Sequence, residues 1–188
     1  MRSSSIVLGA AVALGLAACG STPPPRPTAP PVPLVSTVKM AEANLSSASA
    51  SLVSGRLALV PDAQGVHITG VIGGLQPLQT AAFHVHERGD CSAVDASSAG
   101  GHFNPGAQPH GRNSAGAHHA GDMDNLRADA QGRANVDVRL PAVTLGGGAA
   151  TDIAGRALVV HANADDYRSQ PAGNAGARIA CGVIRVTR

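Results

Sequence analysis

The residues of this 188-residue chain that are best suited to chemistry are six histidines and one aspartate, spaced as metal ligands. In chain order they are His84, His86, His102, His110, His119, Asp122 and His161. Imidazole is the commonest protein ligand for copper and zinc, and one carboxylate among several histidines favours these metals over magnesium or calcium. Seven ligands are too many for one tetrahedral site. The set therefore predicts two metal ions close together.

The spacing divides these ligands between a strand and a long loop. His84 and His86 are two residues apart in a strand-like run, so both side chains point to the same face. The segment from Gly89 to Met123 carries the next four ligands and is rich in Gly, Ala, Ser and Asn. A long irregular loop inside a compact domain is usually functional or disordered, and the ligands in this one favour function.

The number of ligands indicates that the two metals share one of them. Three histidines and an aspartate would complete a closed tetrahedral zinc site, and the candidates are His102, His110, His119 and Asp122. Four imidazole nitrogens suit tetragonal copper(II), and the candidates are His84, His86, His102 and His161. Both sites have four ligands only if one histidine serves twice. A deprotonated imidazolate can do so, because each of its ring nitrogens can hold a metal.

Strands must position these residues, because helix signals are nearly absent and glycine is abundant. About eight short runs are predicted as strands: Thr37–Asn44, Ser51–Val60, Gly65–Ile72, Ala81–Arg88, Asn125–Ala130, Ala134–Leu140, Arg156–Ala162 and Ile179–Thr187. Turn clusters such as Pro61–Gly65 separate them. The pattern predicts an all-β fold, an eight-stranded antiparallel Greek-key barrel or sandwich with two long functional loops, the second from Asn163 to Ala177.

The N-terminal residues predict export and a lipid anchor. A short positive start, an apolar run and Leu16-Ala17-Ala18 before Cys19 resemble the signal and cleavage box of a bacterial lipoprotein. This pattern predicts a signal peptide at 1–18, a lipidated Cys19 with a proline-rich tether at 19–36, and one domain at 37–188. The alternative is an ordinary signal peptide with an incidental cysteine. The anchored protein would lie in the cell envelope, facing the periplasm from the outer or inner membrane of a Gram-negative cell.

The composition of the chain argues against nucleic acid as a partner. The predicted export of the protein, in turn, argues for a disulfide. The formal net charge is only +2 and the chain has two Phe, one Tyr and no Trp, so it offers neither a basic surface nor a base-stacking platform. With Cys19 assigned to lipid, Cys91 and Cys181 remain. Because disulfides persist in exported proteins, these two cysteines are expected to pair. The alternative is two free buried thiols.

Several sequence blocks together resemble the copper,zinc superoxide dismutases. They run in order within the segment from about residue 48 to the C-terminus: Phe83-His84-Val85-His86, Gly101-His102-Phe103-Asn104-Pro105, His110-Gly111, His119-Ala120-Gly121-Asp122, Val160-His161 and Gly173 to Gly182. The short second loop and the spacing of Cys91 are more similar to the bacterial periplasmic branch of this family than to its familiar eukaryotic members. This family is itself a standard example of sandwich architecture and electrostatic steering, so those two expectations come from the resemblance.

The resemblance implies a role for each residue of the set. The copper-only ligands would be His84, His86 and His161; the bridging ligand His102; and the remaining zinc ligands His110, His119 and Asp122. Asp165 would link a copper histidine to a zinc histidine, and such outer partners orient ligand rings. Arg178 would lie beside copper and draw in the substrate anion. Cys91 and Cys181 match the family's intrachain disulfide.

The implied activity is dismutation of superoxide to dioxygen and hydrogen peroxide by a copper redox cycle. Each subunit would hold one copper ion and one zinc ion, with zinc structural and His102 releasing and delivering a proton. The substrate would be superoxide, and the protein a monomer or a homodimer. Lys39 is the only lysine, so any positive field must come from arginines, of which the candidates are Arg88, Arg112, Arg168 and Arg178.

Individual assignments have alternatives. His118 could replace His119 as a zinc ligand, although the His-Ala-Gly-Asp spacing favours His119. Asp166 could replace Asp165 as the linking aspartate. His67 lies in a strand run far from the ligand blocks, which indicates a structural or exposed residue.

Two other functions compete with the dismutase. A copper or zinc carrier would keep the fold without turnover, and loss of a copper ligand or of Arg178 would mark such a relative; neither loss occurs here. A binuclear zinc hydrolase would need an acid and an imidazole where this chain has Arg88 and Gly89. The dismutase hypothesis is therefore preferred.

Overall fold

The computed structural model describes residues 35–188, and strands dominate this part of the chain. The strands are β1 Ala41–Ser47, β2 Ser54–Asp62, β3 Gly65–Gly73, β4 Thr80–Ala81, β5 Phe83–His86, β6 Leu126–Arg127, β7 Ala134–Leu140, β8 Ala157–His161 and β9 Arg178–Val186. A single 3-10 turn at Ser97–Ala99 is the only helical element among the described residues, and none of them forms a helix able to cross a bilayer. The predicted signal peptide and lipidated Cys19 lie outside this range.

Seven strands form one antiparallel sheet that curls into a half-barrel. Their order is β5-β8-β9-β1-β2-β3-β7, and β4 pairs with β6 beside it. The predicted all-β antiparallel architecture is confirmed. The register of β9 orients the domain, because His161 of β8 pairs with Arg178 at its start and Ala41 of β1 pairs with Val186 at its end.

The strand predicted at Ala81–Arg88 is divided at Ala82. The Ala82 N–H donates to Asn163 O at 2.8 Å, and Ala82 O accepts from the His161 N–H at 2.9 Å. The backbone of Ala82 thus pairs with the end of β8 and the segment that follows it, whereas its neighbour Ala81 pairs with Leu126 of β6. This change of partner gives nine strands where the sequence predicts eight.

Alternating burial along the strands builds an aliphatic core. In β2, Leu57 and Leu59 are fully buried, whereas Arg56 and Val60 on either side of this pair are exposed. Burying one such Leu or Ile side chain contributes about 1.5–3 kcal/mol, so a core with few aromatic residues can still be sufficient. Its largest fully buried aliphatic members are Leu57, Leu59, Ile68, Ile72, Met123, Leu140, Leu145, Ile153, Leu158 and Ile184.

Strand β5 is buried on both faces, and this decides where its histidines point. Phe83 and Val85 enter the main core. His84 and His86 alternate with them and therefore face the opposite side of the sheet. On that side His84 pairs in register with Val159 of β8, which belongs to a second, smaller apolar cluster. The two long loops, at 87–125 and 162–177, cover this face.

Candidate metal centre

The first long loop returns twice to the free edge of β5 and carries ligands to it. Phe103 N–H donates to Val85 O at 2.8 Å, and Val85 N–H donates to Gly121 O at 2.9 Å. These bonds bring the neighbouring residues His102 and Asp122 into bridge positions opposite His86 and His84. Backbone pairing to a rigid strand thus fixes loop residues that have no strand of their own.

Gly121 allows the loop to pack closely against β5 where the Val85 N–H donates to Gly121 O. A Cβ built on it would overlap Val85 O and lie 3.0 Å from the Phe103 Cβ. The peptide of Gly121 therefore packs against β5 at a distance that only a residue without a side chain allows. The adjacent Asp122 reaches the buried interior for this reason.

The ligand candidates form two groups that share one histidine. The four-histidine group contains His84, His86, His102 and His161, and the aspartate group contains His102, His110, His119 and Asp122. In each group one ligand atom from every member lies within 4.8 Å of the others, and all the residues are buried. His102 belongs to both groups. The structure thus brings together all seven of the preferred ligand candidates.

Hydrogen bonds in the four-histidine group leave one free nitrogen on each ring. His86 Nδ1 donates to Gly100 O at 2.9 Å, and His161 Nδ1 is 3.3 Å from Gly176 O, which leaves Nε2 free on both. His84 uses Nε2 for a carboxylate, and its buried Nδ1 has no partner. The free Nε2 atoms of His86 and His161 are 3.3 Å apart. Converging lone pairs without protein donors are the arrangement that a metal ion requires.

His102 directs its two ring nitrogens to different groups. Its Nδ1 is 2.8 Å from Asp122 Oδ1 and 3.4 Å from His119 Nδ1. Its Nε2 is buried and has no hydrogen-bond partner. The rings of His102 and His84 are close, with centroids 4.0 Å apart. The free Nε2 is therefore available to the four-histidine group, so the residues present fit two metals joined by one imidazole.

Asp122 is the anionic centre of its group. Burial alone would raise its pKa, but hydrogen bonds with His102, His110 and His119 outweigh burial and hold the pKa far below the ordinary value for aspartate. The backbone N–H groups of Gly111 and His119 also donate to Oδ2, at 3.0 and 2.9 Å. The carboxylate is thus ionised and fixed before any cation enters.

Four of the ligand histidines have shifted pKa values, three of them lowered and one raised. Burial lowers the pKa of His102 to about 4 and that of His161 to about 3, and it holds the pKa of His86 well below its usual range. For His110, burial acts in the same direction, but Asp122 and Asp165 outweigh it and raise the pKa to about 9. His86, His102 and His161 therefore offer neutral imidazoles, the form that coordinates metals.

Asp165 connects the two groups. Its Oδ2 accepts from His84 Nε2 at 2.9 Å, and its Oδ1 accepts from His110 Nε2 at 2.9 Å. The Tyr167 N–H also donates to Oδ1, at 2.7 Å. Asp165 is the residue that the sequence favours for this position. Its neighbour Asp166 bonds Ser169 and does not contact either ring.

Arg178 lies at the cavity that leads to the four-histidine group. The cavity measures about 510 Å³ and is lined by residues that include His86, His102, His161 and Arg178. The guanidinium is half-buried and donates to Ala96 O at 2.7 Å and to Gly100 O at 2.6 Å. The predicted Cys91–Cys181 disulfide is confirmed and ties the same 91–100 segment to β9.

The remaining histidines lie outside both groups. His118 Nδ1 is 2.7 Å from the His119 backbone oxygen, so its ring turns away from the ligands. His67 on β3 forms a 2.6 Å contact with Asp137 on β7, at the partly exposed surface of the sheet. Arg112 pairs with Asp124. Within the described residues that line the cavity, Arg178 is the only side chain with a fixed positive charge.

Two amide residues that the sequence does not single out also support the centre. Asn125 bonds the backbone of Asp165, and Gln170 bonds the backbone of His110. A lone Asn or Gln in an irregular loop has no diagnostic spacing. Only the folded positions of the two loops reveal these contacts.

The comparisons with known proteins agree with this geometry. The family model described as "Copper/zinc superoxide dismutase (SODC)" matches residues 53–184. Superoxide dismutase [Cu-Zn] 2 of Aquifex aeolicus is 47% identical over 136 residues, which cover 71% of this chain and 80% of that protein. Superoxide dismutase [Cu-Zn] of Caulobacter vibrioides is 41% identical over 137 residues, 70% of this chain and 78% of that protein.

A solved structure extends the similarity to the fold. The crystal structure of a SOD-like protein from Bacillus subtilis matches with a TM-score of 0.68 and 36% identity, covering 75% of this chain and 95% of that one. Fold similarity alone does not establish an activity, so the residues of the site carry the functional argument. With the family model spanning most of the domain and two metal-capable groups sharing His102, the chain belongs to the copper/zinc superoxide dismutase family.

Proposed function

We propose that this protein dismutates superoxide, with copper held by the four-histidine group and zinc by the aspartate group. Its cofactors are one copper ion and one zinc ion, and two superoxide anions with two protons yield dioxygen and hydrogen peroxide. The single observation that carries the proposal is that His102 belongs to both groups: its Nδ1 contacts Asp122, and its buried Nε2 has no protein partner.

Copper, when bound, supplies the one-electron redox change, and zinc supplies a fixed positive charge beside His102. The chain's own part is to handle the proton. His102 lines the cavity and its Nε2 is shielded from bulk water, so the ring can hold a proton and deliver it to reduced oxygen inside the site. Asp122 and the rest of the aspartate group keep the ring in one orientation while Nε2 gains and loses that proton.

Arg178 performs the second task, the attraction and orientation of the anion. Its guanidinium donates to the carbonyls of Ala96 and Gly100, which leaves other N–H groups for a ligand in the cavity. A fixed cation in a partly desolvated cavity attracts a small anion more strongly than an exposed one. The cavity wall beside it is formed by His86, His102 and His161.

The test combines metal analysis with a dismutase assay on the purified full-length protein. We expect one copper and one zinc per chain, and cyanide-sensitive dismutation faster than free copper at equal concentration. His102→Ala should abolish most of the activity and change the copper EPR spectrum, whereas the control His118→Ala should leave both intact. A fully metal-loaded protein without activity would overturn the dismutase and support the carrier.

Lipid anchoring and envelope location are a second part of the proposal. The Leu16-Ala17-Ala18-Cys19 box supports lipidation of Cys19, and a Cys91–Cys181 disulfide agrees with an oxidising compartment. We expect metabolically supplied labelled palmitate to label the native protein but not Cys19→Ser. Fractionation should find the native protein with the membranes, in the outer or inner membrane facing the periplasm. Labelling of both proteins or of neither would contradict the anchor.

The third part of the proposal concerns the oligomeric state. The proposal is a monomer or a homodimer, and sedimentation equilibrium of the Cys19→Ser protein distinguishes the two by mass. A trimer or larger species would contradict it.

A further inference from the structure

Gln170 joins the two long loops through the backbone of His110. Its Nε2 donates to His110 O at 2.9 Å, and its Oε1 accepts from the His110 N–H at 2.8 Å. The two residues are 60 positions apart in the sequence. An amide that bonds both the N–H and the C=O of one residue fixes that residue in position and orientation, as pairing in a sheet does.

The backbone of His110 depends on this contact. His110 is only 4% exposed, and among the described residues neither its N–H nor its C=O takes part in a backbone–backbone hydrogen bond outside regular strands and helices. His110 belongs to no strand, so Gln170 satisfies both groups. A buried peptide that loses such a partner must find water or move, because unpaired buried polar groups are costly.

A second side-chain amide, that of Asn125, fixes the backbone of Asp165 in the same way. Asn125 Nδ2 donates to Asp165 O at 2.9 Å, and Asn125 Oδ1 accepts from the Asp165 N–H at 2.8 Å. Each loop therefore supplies one side-chain amide that forms two hydrogen bonds with the backbone of the other loop. Between the two contacts lies the 2.9 Å bond from His110 Nε2 to Asp165 Oδ1. His110 is thus fixed at two points: Asp165 holds its ring, and Gln170 holds its backbone.

We propose that Gln170 is a positioning residue that sets the orientation of His110 and thereby the retention of zinc. The inference rests on the proposed zinc site. Outer partners of metal ligands typically contribute about 10- to 100-fold to metal affinity. Gln170 is exposed, so water replaces part of the lost contact, and the expected effect is at the lower end, about tenfold.

The test compares Gln170→Met and Gln170→Ala with Gln131→Met in the full-length protein. Gln131 is exposed in the turn before β7, and its side chain has no hydrogen bond among the described residues, so it is a matched control. Metal-free protein is titrated with zinc against a chromogenic chelator, and separately with Co²⁺ while the visible spectrum is recorded. We expect about a tenfold higher zinc dissociation constant for both Gln170 variants, with shifted Co²⁺ bands.

The possible results separate the inference from the proposed site. Native protein that binds no zinc would overturn both. Native protein that binds one zinc, with Gln170 variants equal to Gln131→Met, would overturn the role of Gln170 alone. Weaker zinc binding with an unchanged Co²⁺ spectrum would indicate a general loss of stability and would also overturn positioning. Gln170→Ala removes only atoms beyond Cβ from an exposed residue, so it keeps the test open if Gln170→Met misfolds.

Discussion

His86 and Arg178 donate to the same acceptor, the carbonyl oxygen of Gly100. The two distances are 2.9 Å from His86 Nδ1 and 2.6 Å from Arg178 Nη2. One peptide thus sets the tautomer of a copper-ligand candidate and the position of the cation beside it. A second bond from Arg178 Nη1 to Ala96 O, at 2.7 Å, prevents the guanidinium from swinging away.

Replacement of Arg178 tests whether this cation guides the substrate. We expect Arg178→Ala to lower kcat/KM about tenfold or more and to flatten its dependence on ionic strength, because electrostatic guidance raises association rates by roughly 10- to 1,000-fold. Arg178→Lys should be intermediate, since it keeps the charge but cannot bond two carbonyls in the same way. Stopped-flow measurements at several salt concentrations check this. The control is Arg133→Ala in an exposed turn; an effect equal to that of Arg178→Ala would refute the prediction.

Replacement of Asp165 tests the link between the two groups. Asp165→Asn turns one of two acceptor oxygens into a donor that faces an imidazole N–H, so the dissociation constant for zinc should rise about 10- to 100-fold. Competition with a chelator measures the change. Asp166→Asn is the matched control, because its carboxylate contacts Ser169 and Asn174 and neither imidazole. Equal zinc affinity in the two variants would show that Asp165 does not act on the metal.

Gly173 tests how closely the second loop packs on the centre. A Cβ at Gly173 would overlap Asp165 Oδ1 and lie 2.7 Å from His110 Nε2, in addition to the strain of its φ of +63°. We expect Gly173→Ala to lower the free energy of unfolding by about 3 kcal/mol and to weaken zinc binding. Gly148 has a φ of +70° and open space around its Cβ, so Gly148→Ala should show the backbone strain alone, about 1–2 kcal/mol. Equal losses in urea unfolding would contradict the predicted overlap.

The disulfide should contribute substantially to stability. Cys91 and Cys181 are 90 residues apart, and the chain-entropy account gives about 4–5 kcal/mol for a loop of this length. Replacement of both by serine should lower the free energy of unfolding of the metal-free protein by that order, as measured by urea denaturation. Cys19→Ser keeps the disulfide and serves as the control. A loss below about 1 kcal/mol would contradict the chain-entropy account.

The two groups of ligand candidates could be predicted from the sequence, because the residue types and the intervals between them along the chain are visible before the loop conformation is known. His84 and His86 need only a period of two to share a face, and counting ligands predicts the membership of His102 in both groups that the structure shows. The antiparallel fold was predictable for a similar reason, since the short alternating runs are local. The division of the 81–88 run was not, because Ala82 takes its partners from His161 and Asn163, far along the chain.

The supporting contacts could not be read from the sequence. Gln170 and Asn125 act through amides that bond backbone atoms 60 and 40 residues away. Any polar side chain of the right length could serve there, so no residue pattern marks the position. The shared carbonyl of Gly100 is still less visible, since every residue has one and only its place beside His86 and Arg178 gives it a role.

The register of β9 separates the entry of the chain into the sheet from the position of Arg178. The chain enters the sheet at Ala41, which pairs with Val186, eight residues along the strand from Arg178. At about 3.3 Å per residue this is roughly 26 Å. The chain therefore enters the sheet at the end remote from the cavity that Arg178 lines, so the first residue of β1 and the cavity lie at opposite ends of β9.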